Sequence, residues 1–183
     1  MTVLQIELAP TITLTDAQFA EICRNNRDLR FERTAKGDLI VMPPTGSETG
    51  NRNFNLSGQL WLWNRQTQLG YAFDSSIGFT LPNGAIRSPD ASWIARDGWD
   101  ALTPEERQGF APICPDFVVE LRSKSDRLKL LQEKMTEYLD CGCRLGWLLD
   151  VAQKRVEVYR AGESVLTSSR HRPVPGTVRG SSF

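Results

Sequence analysis

The run Phe117-Val118-Val119-Glu120-Leu121 limits the fold of this 183-residue chain more than any other segment. Its Phe and Val side chains suit a pleated, buried strand. A near-continuous apolar run is what a core strand requires. Glu120 stands inside that run, and a carboxylate there is costly unless it is paired or binds a cation. Side chains alternate along a strand. Asp116, Val118, Glu120 and Arg122 therefore share one face, while Phe117, Val119 and Leu121 point the other way, toward a helix layer. Ser125 or Asp126 can cap a following helix that runs to about Asp140, with Leu128, Leu131, Met135, Tyr138 and Leu139 on one side. Cys141-Gly142-Cys143 ends that helix, and Leu145 to Asp150 forms a second apolar strand. Arg155 to Arg160 alternates, with Val156 and Val158 on one face and Glu157 and Tyr159 on the other.

The rest of the chain reads as one domain over residues 1–160. Thr15 can cap a helix carrying Phe19, Ile22 and Cys23. Leu29 to Thr34 and Leu39 to Met42 flank Ala35-Lys36-Gly37-Asp38 as a hairpin. A helix follows Ser47-Glu48-Thr49-Gly50-Asn51 and runs to about Arg65, with Leu56, Leu60 and Trp63 as its core stripe. Extended pieces are expected at Tyr71–Asp74, Phe79–Leu81 and Ile86–Ile94, with a tight turn at Pro82-Asn83-Gly84. Residues 95–115 are loop-like apart from a short helix near Thr103–Glu106, where Pro104 suits the first turn. The five tryptophans are core candidates, with Trp99 the one expected near the surface. From Ala161 the pattern weakens, and residues 161–183 read as a mobile or atypical tail.

Composition excludes several chemistries. Lys plus Arg and Asp plus Glu both number 22, so no overall basic field would drive nucleic-acid binding, which would need a local patch or a bound metal. The single histidine, His171, lies in the polar tail. A His-based triad or a His-rich zinc site is therefore not expected. Cys23, Cys114, Cys141 and Cys143 lack the usual zinc-knuckle spacing and suit buried thiols. No run of about 18 apolar residues is present, so no membrane span is expected. The start MTVLQIELAP is not signal-like, and a reducing cytoplasm is the expected compartment.

The chemistry centres on two acids. Asp90 follows Pro89 inside a strand-like run, and Glu120 lies in the core strand. If these strands pair, the carboxylates converge, and converging carboxylates suit a hard cation such as Mg²⁺ or Mn²⁺. Such an ion polarises a phosphodiester and lowers the pKa of an attacking water. The Asp…Glu-x-Lys pattern of nucleases would place lysine at 122, where this chain has Arg122. Arginine can clamp phosphate but cannot act as a general base. Lys124, on the same face if the strand extends, and Lys134, at the border of the helix stripe, are the substitutes, with Lys134 favoured. Glu48, at the start of the aromatic-rich helix, can complete the metal shell or orient water. Plainer roles stand beside these. Glu120 can pair with Arg122 or Arg144, Asp90 can be a turn acid, Lys134 can pair on the surface with Glu137 or Asp140, and Glu48 can be a favourable N-terminal charge.

The segments GAIRSPDASW, APICPDFVVELRSKSD, LQEKMTEYLDCGCRLGWLLD and RVEVYR resemble the Uma-type family of putative bacterial endonucleases. That family lies in the PD-(D/E)XK restriction-endonuclease-like superfamily, and the resemblance spans about residues 12–160. It implies an α/β (α+β) fold: a restriction-endonuclease-like mixed β-sheet flanked by helices, with Mg²⁺ or Mn²⁺ at the sheet edge. By position it makes Asp90 and Glu120 the metal-binding acids, Lys134 the catalytic lysine and Glu48 the helix acid. It implies a metal-dependent endonuclease hydrolysing DNA phosphodiester bonds, working as a homodimer. Arg122 in place of the motif lysine, with Lys124, is left to contact phosphate. The chain after Arg160 does not resemble the family's usual apolar ending. The alternatives are a non-catalytic nucleic-acid-binding or assembly module that keeps the fold, and a structural protein whose acids pair with arginines.

Overall fold

A computed structural model describes residues 3–169. In chain order the elements are β1 (Leu4–Ile6), α1 (Asp16–Asn25), β2 (Arg30–Arg33), β3 (Leu39–Met42), α2 (Ser47–Thr67), β4 (Gly70–Asp74), β5 (Phe79–Thr80) and β6 (Ile86–Arg87). Then come β7 (Ala91–Ala95), α3 (Arg96–Asp100), α4 (Pro104–Gln108), β8 (Phe117–Leu121), α5 (Leu128–Asp140), β9 (Leu145–Asp150), β10 (Arg155–Arg160) and β11 (Leu166–Ser169). They form two sheets flanked by helices. One is five-stranded in the order β1-β3-β2-β6-β5, and the other six-stranded in the order β11-β10-β9-β8-β7-β4.

The larger sheet is the expected mixed one. β8 and β9 run parallel, joined by α5, while their outer neighbours run antiparallel. A parallel pair needs a crossover of this kind. Both faces of β8 are covered, which explains its apolar sequence. Val118 packs with Met135, Tyr138 and Leu148 on the α5 side, and Val119 packs with Leu60 and Ala91 on the α2 side. Gly146 lets α5 lie close, because a Cβ there would run into the Met135 methyl and Val118. Met135 and Tyr138 are fully buried, and burying a side chain of the Met class contributes roughly 1.5–3 kcal/mol. Trp63 against Trp93 and Phe117 against Trp147 fill the α2 face.

Local chemistry sets several boundaries. Thr15 and Gln18 form a capping box on α1, and Thr103 and Glu106 form another on α4 ahead of Pro104. The hairpin turns at Gly37, whose φ of 91° favours glycine.

Five expectations need correcting. The run 86–94 is not one strand. It breaks at Ser88-Pro89-Asp90, so β6 joins the small sheet and β7 the large one. Proline has no N–H for a ladder, which is why the break falls there. The helix after β8 starts later than expected, with Arg127 at the N-cap, while Asp126 instead accepts a bond from the Ser123 N–H at 2.7 Å. Trp99 is half-buried against Phe73, at 4.9 Å between ring centroids, whereas Trp61 is 52% exposed. Residues 95–115 contain α3 as well as α4. Finally, regular structure does not stop at Arg160, because β11 pairs with β10 over Leu166–Ser169. The remainder of the expected tail, including His171, lies outside the described residues.

Candidate active site

The break between β6 and β7 makes the site. It carries the chain from one sheet to the other and leaves Asp90 at the crossing. Ala91 pairs with Val119, so Asp90 lies opposite Glu120 one step beyond the ladder. Asp90 is partly exposed. Its Oδ2 accepts from the Leu121 N–H at 2.8 Å and its Oδ1 from Asn53 Nδ2 at 2.8 Å. Glu120 is 4% exposed, and its Oε1 accepts from Tyr138 Oη at 3.1 Å and from Lys134 Nζ at 2.7 Å. Among the described residues no donor bonds to Glu120 Oε2.

Lys134 is not a surface partner of Glu137 or Asp140. It projects from α5 into the protein, where its Nζ also meets Glu32 Oε1 at 2.7 Å. Glu32, on β2, is buried and accepts further bonds from the Ser88 N–H at 2.9 Å and Arg87 Nη1 at 3.2 Å. Arg87 Nε then reaches Glu137 Oε2 at 2.6 Å. Lys134 and Arg87 thus tie both sheets and α5 together. Breaking one member of such a buried pair is more damaging than the pair's net worth.

Electrostatics separate the acids. Burial would raise Glu32, but Lys134 and Arg87 outweigh it and hold its pKa below the ordinary value. Burial pushes Glu120 up to about 7, helped by the Asp90 and Glu32 charges and opposed by Lys134. Burial also raises Asp90, against the Leu121 N–H, Lys134, Arg30 and Asn53. For Lys134, burial alone would lower the pKa, but Glu120 and Glu32 prevail and keep it above its ordinary value. Lys134 is therefore an ammonium at neutral pH: it can donate hydrogen bonds and stabilise negative charge, but it is no general base.

The other expected residues sit apart. Glu48, in the first turn of α2, is exposed and paired with Arg52 at 2.7 Å. Arg122 is held by Asp150 at 2.5 Å and donates to the Asp126 carbonyl at 3.3 Å. Burial opposes the lowered pKa of Asp150, but the Gln153 N–H and Arg122 prevail. β8 ends at Leu121, so Lys124 lies in the exposed turn beyond it rather than on the strand face. Neither Arg122 nor Arg144 pairs with Glu120, since Arg144 faces Asp116 at 4.0 Å.

Three functional candidates escaped the sequence reading: Glu32, Arg87 and Asn53. Asn53 carried a signal, because it lies three residues before Leu56 and seven before Leu60 on the core stripe of α2. It is 8% exposed, and its Oδ1 is buried without a hydrogen-bond partner. An orphaned buried acceptor of this kind costs about 1–3 kcal/mol. Arg87 follows Ile86 in a short strand, and nothing local separates it from an exposed arginine.

A divalent cation fits this chemistry. Four carboxylates, Glu32, Asp90, Glu120 and Glu137, face two inner cations, Arg87 and Lys134, with Arg30 acting on Asp90 as well. The unfilled positions are oxygens, as a hard ion prefers. Among the described residues no three His, Cys, Asp or Glu side chains make a metal-holding group. The acids alone therefore leave a shell open to other oxygens, as Mg²⁺ sites with one or two carboxylates do.

A mixed sheet flanked by helices, with an acid pair and a lysine at the join of two sheets, defines a restriction-endonuclease-like protein. The chain belongs to the Uma2 family, described as putative restriction endonuclease, which it matches over residues 16–180. That match continues past Arg160, to residue 180. The fold is shared with a solved putative nuclease of the DUF820 group from Anabaena variabilis. The two are 20% identical, with a TM-score of 0.69, over 88% of this chain and 89% of that one. No curated protein matches the chain. Among the described residues no helix is long and apolar enough to cross a membrane.

Proposed function

We propose that this protein is a metal-dependent endonuclease that hydrolyses DNA phosphodiester bonds, with Asp90 and Glu120 holding Mg²⁺ or Mn²⁺. The observation that carries the reading is the pair of opposed carboxylates with Lys134 Nζ at 2.7 Å from Glu120. A bound ion of this kind supplies Lewis-acid charge and a more acidic water. In the reaction a bond forms between water oxygen and phosphorus and one P–O ester bond breaks, leaving a phosphate and a hydroxyl.

The side chains divide the remaining work. Asp90 is oriented by Asn53 and the Leu121 N–H. Lys134, fixed between Glu32 and Glu120, donates to the attacking water or to a phosphate oxygen and stabilises the charge that grows there. Arg30 and Lys124 carry no ion pair among the described residues and serve as phosphate contacts. Arg122 assists, although Asp150 already neutralises much of its charge. Glu48, exposed and paired with Arg52 on the helix that carries Asn53, is left the lesser role of orienting water or substrate. Two copies would present one site to each strand of a duplex, and sedimentation at working concentration tests that dimer.

The test is cleavage of plasmid and single-stranded DNA with Mn²⁺ and with EDTA. Asp90→Ala and Glu120→Ala are expected to lose about 10²–10³-fold in rate, as loss of a principal electrostatic group does, while keeping the circular dichroism of the parent. Undiminished cleavage in either variant refutes the assignment. Salt-sensitive DNA binding without turnover in the parent would favour a binding module on the same fold.

A further inference from the structure

Asn53 is a polar residue where the core stripe of α2 would take an apolar one. Leu56 and Leu60 continue that stripe against Val119 and Ala91. The amide does two things. Its Nδ2 donates to Asp90 Oδ1 at 2.8 Å, and its Oδ1 lies buried with no partner. Turning the amide over would not resolve this, because it would set carbonyl oxygen against carboxylate and orphan the amino group. The unsatisfied acceptor therefore belongs to the arrangement that orients Asp90. Asp90, whose Oδ1 takes that bond, lies opposite Glu120 where β7 meets β8.

We propose that Asn53 Oδ1 is a neutral oxygen ligand of the divalent cation held by Asp90 and Glu120. The inference rests on the metal reading of those two acids and adds to it a ligand on a third element. A neutral ligand suits this position. Asp90, Glu120 and Glu32 already gather three carboxylates around Lys134 and the β7–β8 edge, and an amide oxygen completes coordination without adding a fourth negative charge. The same side chain positions Asp90 through its N–H, so one residue sets both the acid and the ion.

The experiment is Mn²⁺ calorimetry on the full chain, with the parent beside Asn53→Ala, Asn53→Asp, Asn53→Leu and Asp90→Ala. Unfolding in EDTA checks that each variant is folded. Asn53→Ala and Asn53→Leu are expected to bind Mn²⁺ at least 10-fold more weakly, within the range seen when supporting groups of a metal site are removed. Asn53→Asp keeps an oxygen and loses the N–H, so it is expected to bind at parental strength or better. Equal weakening in Asn53→Asp and Asn53→Ala would make Asn53 an anchor of Asp90 and overturn the ligand role. Parental affinity in Asn53→Leu would overturn it too. If Asn53→Asp fails to fold, ¹³C-asparagine labelling of the parent and Asn53→Leu decides. A Mn²⁺ hyperfine coupling to carbonyl carbon in the parent alone supports the ligand, and its absence refutes it. Loss of binding in Asp90→Ala with parental binding in every Asn53 variant defeats this inference alone. A parent that binds no Mn²⁺, or an Asp90→Ala variant that binds it undiminished, defeats the metal reading and this inference together.

Discussion

Glu120 and Glu157 occupy the same row of the large sheet, each paired in register with Leu148 on the strand between them. Both are almost fully buried and both meet α5. Their surroundings differ. Glu157 is saturated: Oε1 accepts from Gln132 and Arg155, and Oε2 from Gln132 and from Tyr159 Oη at 2.7 Å. One arginine balances it, and the orphan there is Arg155 Nε, a donor of an already paired cation. Glu120 fills only Oε1, and it has Asp90 and Glu32 as like-charged neighbours. Burial alone thus does not separate a structural acid from a candidate ligand. Open lone pairs within an excess of like charge do.

The largest expected stability effect breaks the Glu120 side of this contrast. Lys134→Ala removes the cation shared by Glu32 and Glu120, leaving Glu120 without an ion-pair partner and Glu32 with Arg87 alone. A loss of about 3–5 kcal/mol in urea unfolding is expected, the usual penalty for breaking a buried pair. Adding Glu120→Gln should recover part of that loss, because the orphaned charge is then gone. A loss below about 1 kcal/mol would mean that the network is solvated and that Lys134 is not held as described.

Glu157→Gln probes the saturated side. The amide sets a donor against Gln132, Arg155 or Tyr159 and removes the partner of Arg155. A loss of about 2 kcal/mol is expected at pH 8, within the range for disrupting bonds to a buried charge. Mn²⁺ affinity should be unchanged. A Mn²⁺ affinity that falls with Glu157→Gln would place the metal on the wrong side of Leu148.

Glu120→Gln should move stability the opposite way. Folding raises the Glu120 pKa from 4.5 to about 7. Between those values the folded chain holds a proton that the unfolded chain has lost, so stability falls as pH rises through this window. The always-neutral amide removes that fall. Without metal, Glu120→Gln is expected to be more stable than the parent at pH 8 by on the order of 1–3 kcal/mol, and close to it at pH 4. Glu32 titrates in the opposite sense in both proteins, so the readout is the difference between variant and parent. Saturating Mn²⁺ should reverse the order at pH 8. Parallel pH profiles for the two proteins would show that Glu120 ionises normally.

How much of this was legible follows from how local each signal is. The core strand β8, the stripe of α5 and the Thr15 cap of α1 depend on neighbours within a few residues, and they read correctly. Asp90 and Glu120 stood out because each interrupts a strand-like run, and Lys134 because it borders the α5 stripe; the structure brings the three together. Glu32 and Arg87 interrupt nothing. Glu32 sits in a four-residue strand, and its burial depends on α5 and the β6–β7 crossing, which arrive from 102 and 55 positions away. The split of residues 86–94 between two sheets was signalled by Pro89, but proline alone does not reveal that the chain changes sheets. β11 has little apolar content and is recognisable as a strand only through its pairing with β10.

The smallest effect is expected at Glu48, and it sharpens the contrast between an exposed acid and acids in the site. Glu48 is 74% exposed at its side chain and pairs with Arg52 one turn on. An exposed i,i+4 pair contributes about 0.3–0.5 kcal/mol, and a charge in the first helical turn adds a similar amount. Glu48→Ala should therefore lower stability by less than about 1 kcal/mol, with the loss shrinking further in high salt. Mn²⁺ affinity should change by less than about 3-fold, against at least 10-fold for Asn53→Ala, since exposed charges act through screened water while a ligand acts on the ion itself. A 10-fold loss of Mn²⁺ affinity in Glu48→Ala would mean that the start of α2 turns inward when the ion binds. Glu48 would then leave Arg52 for the metal shell, and exposure in the metal-free state would no longer mark a residue as peripheral.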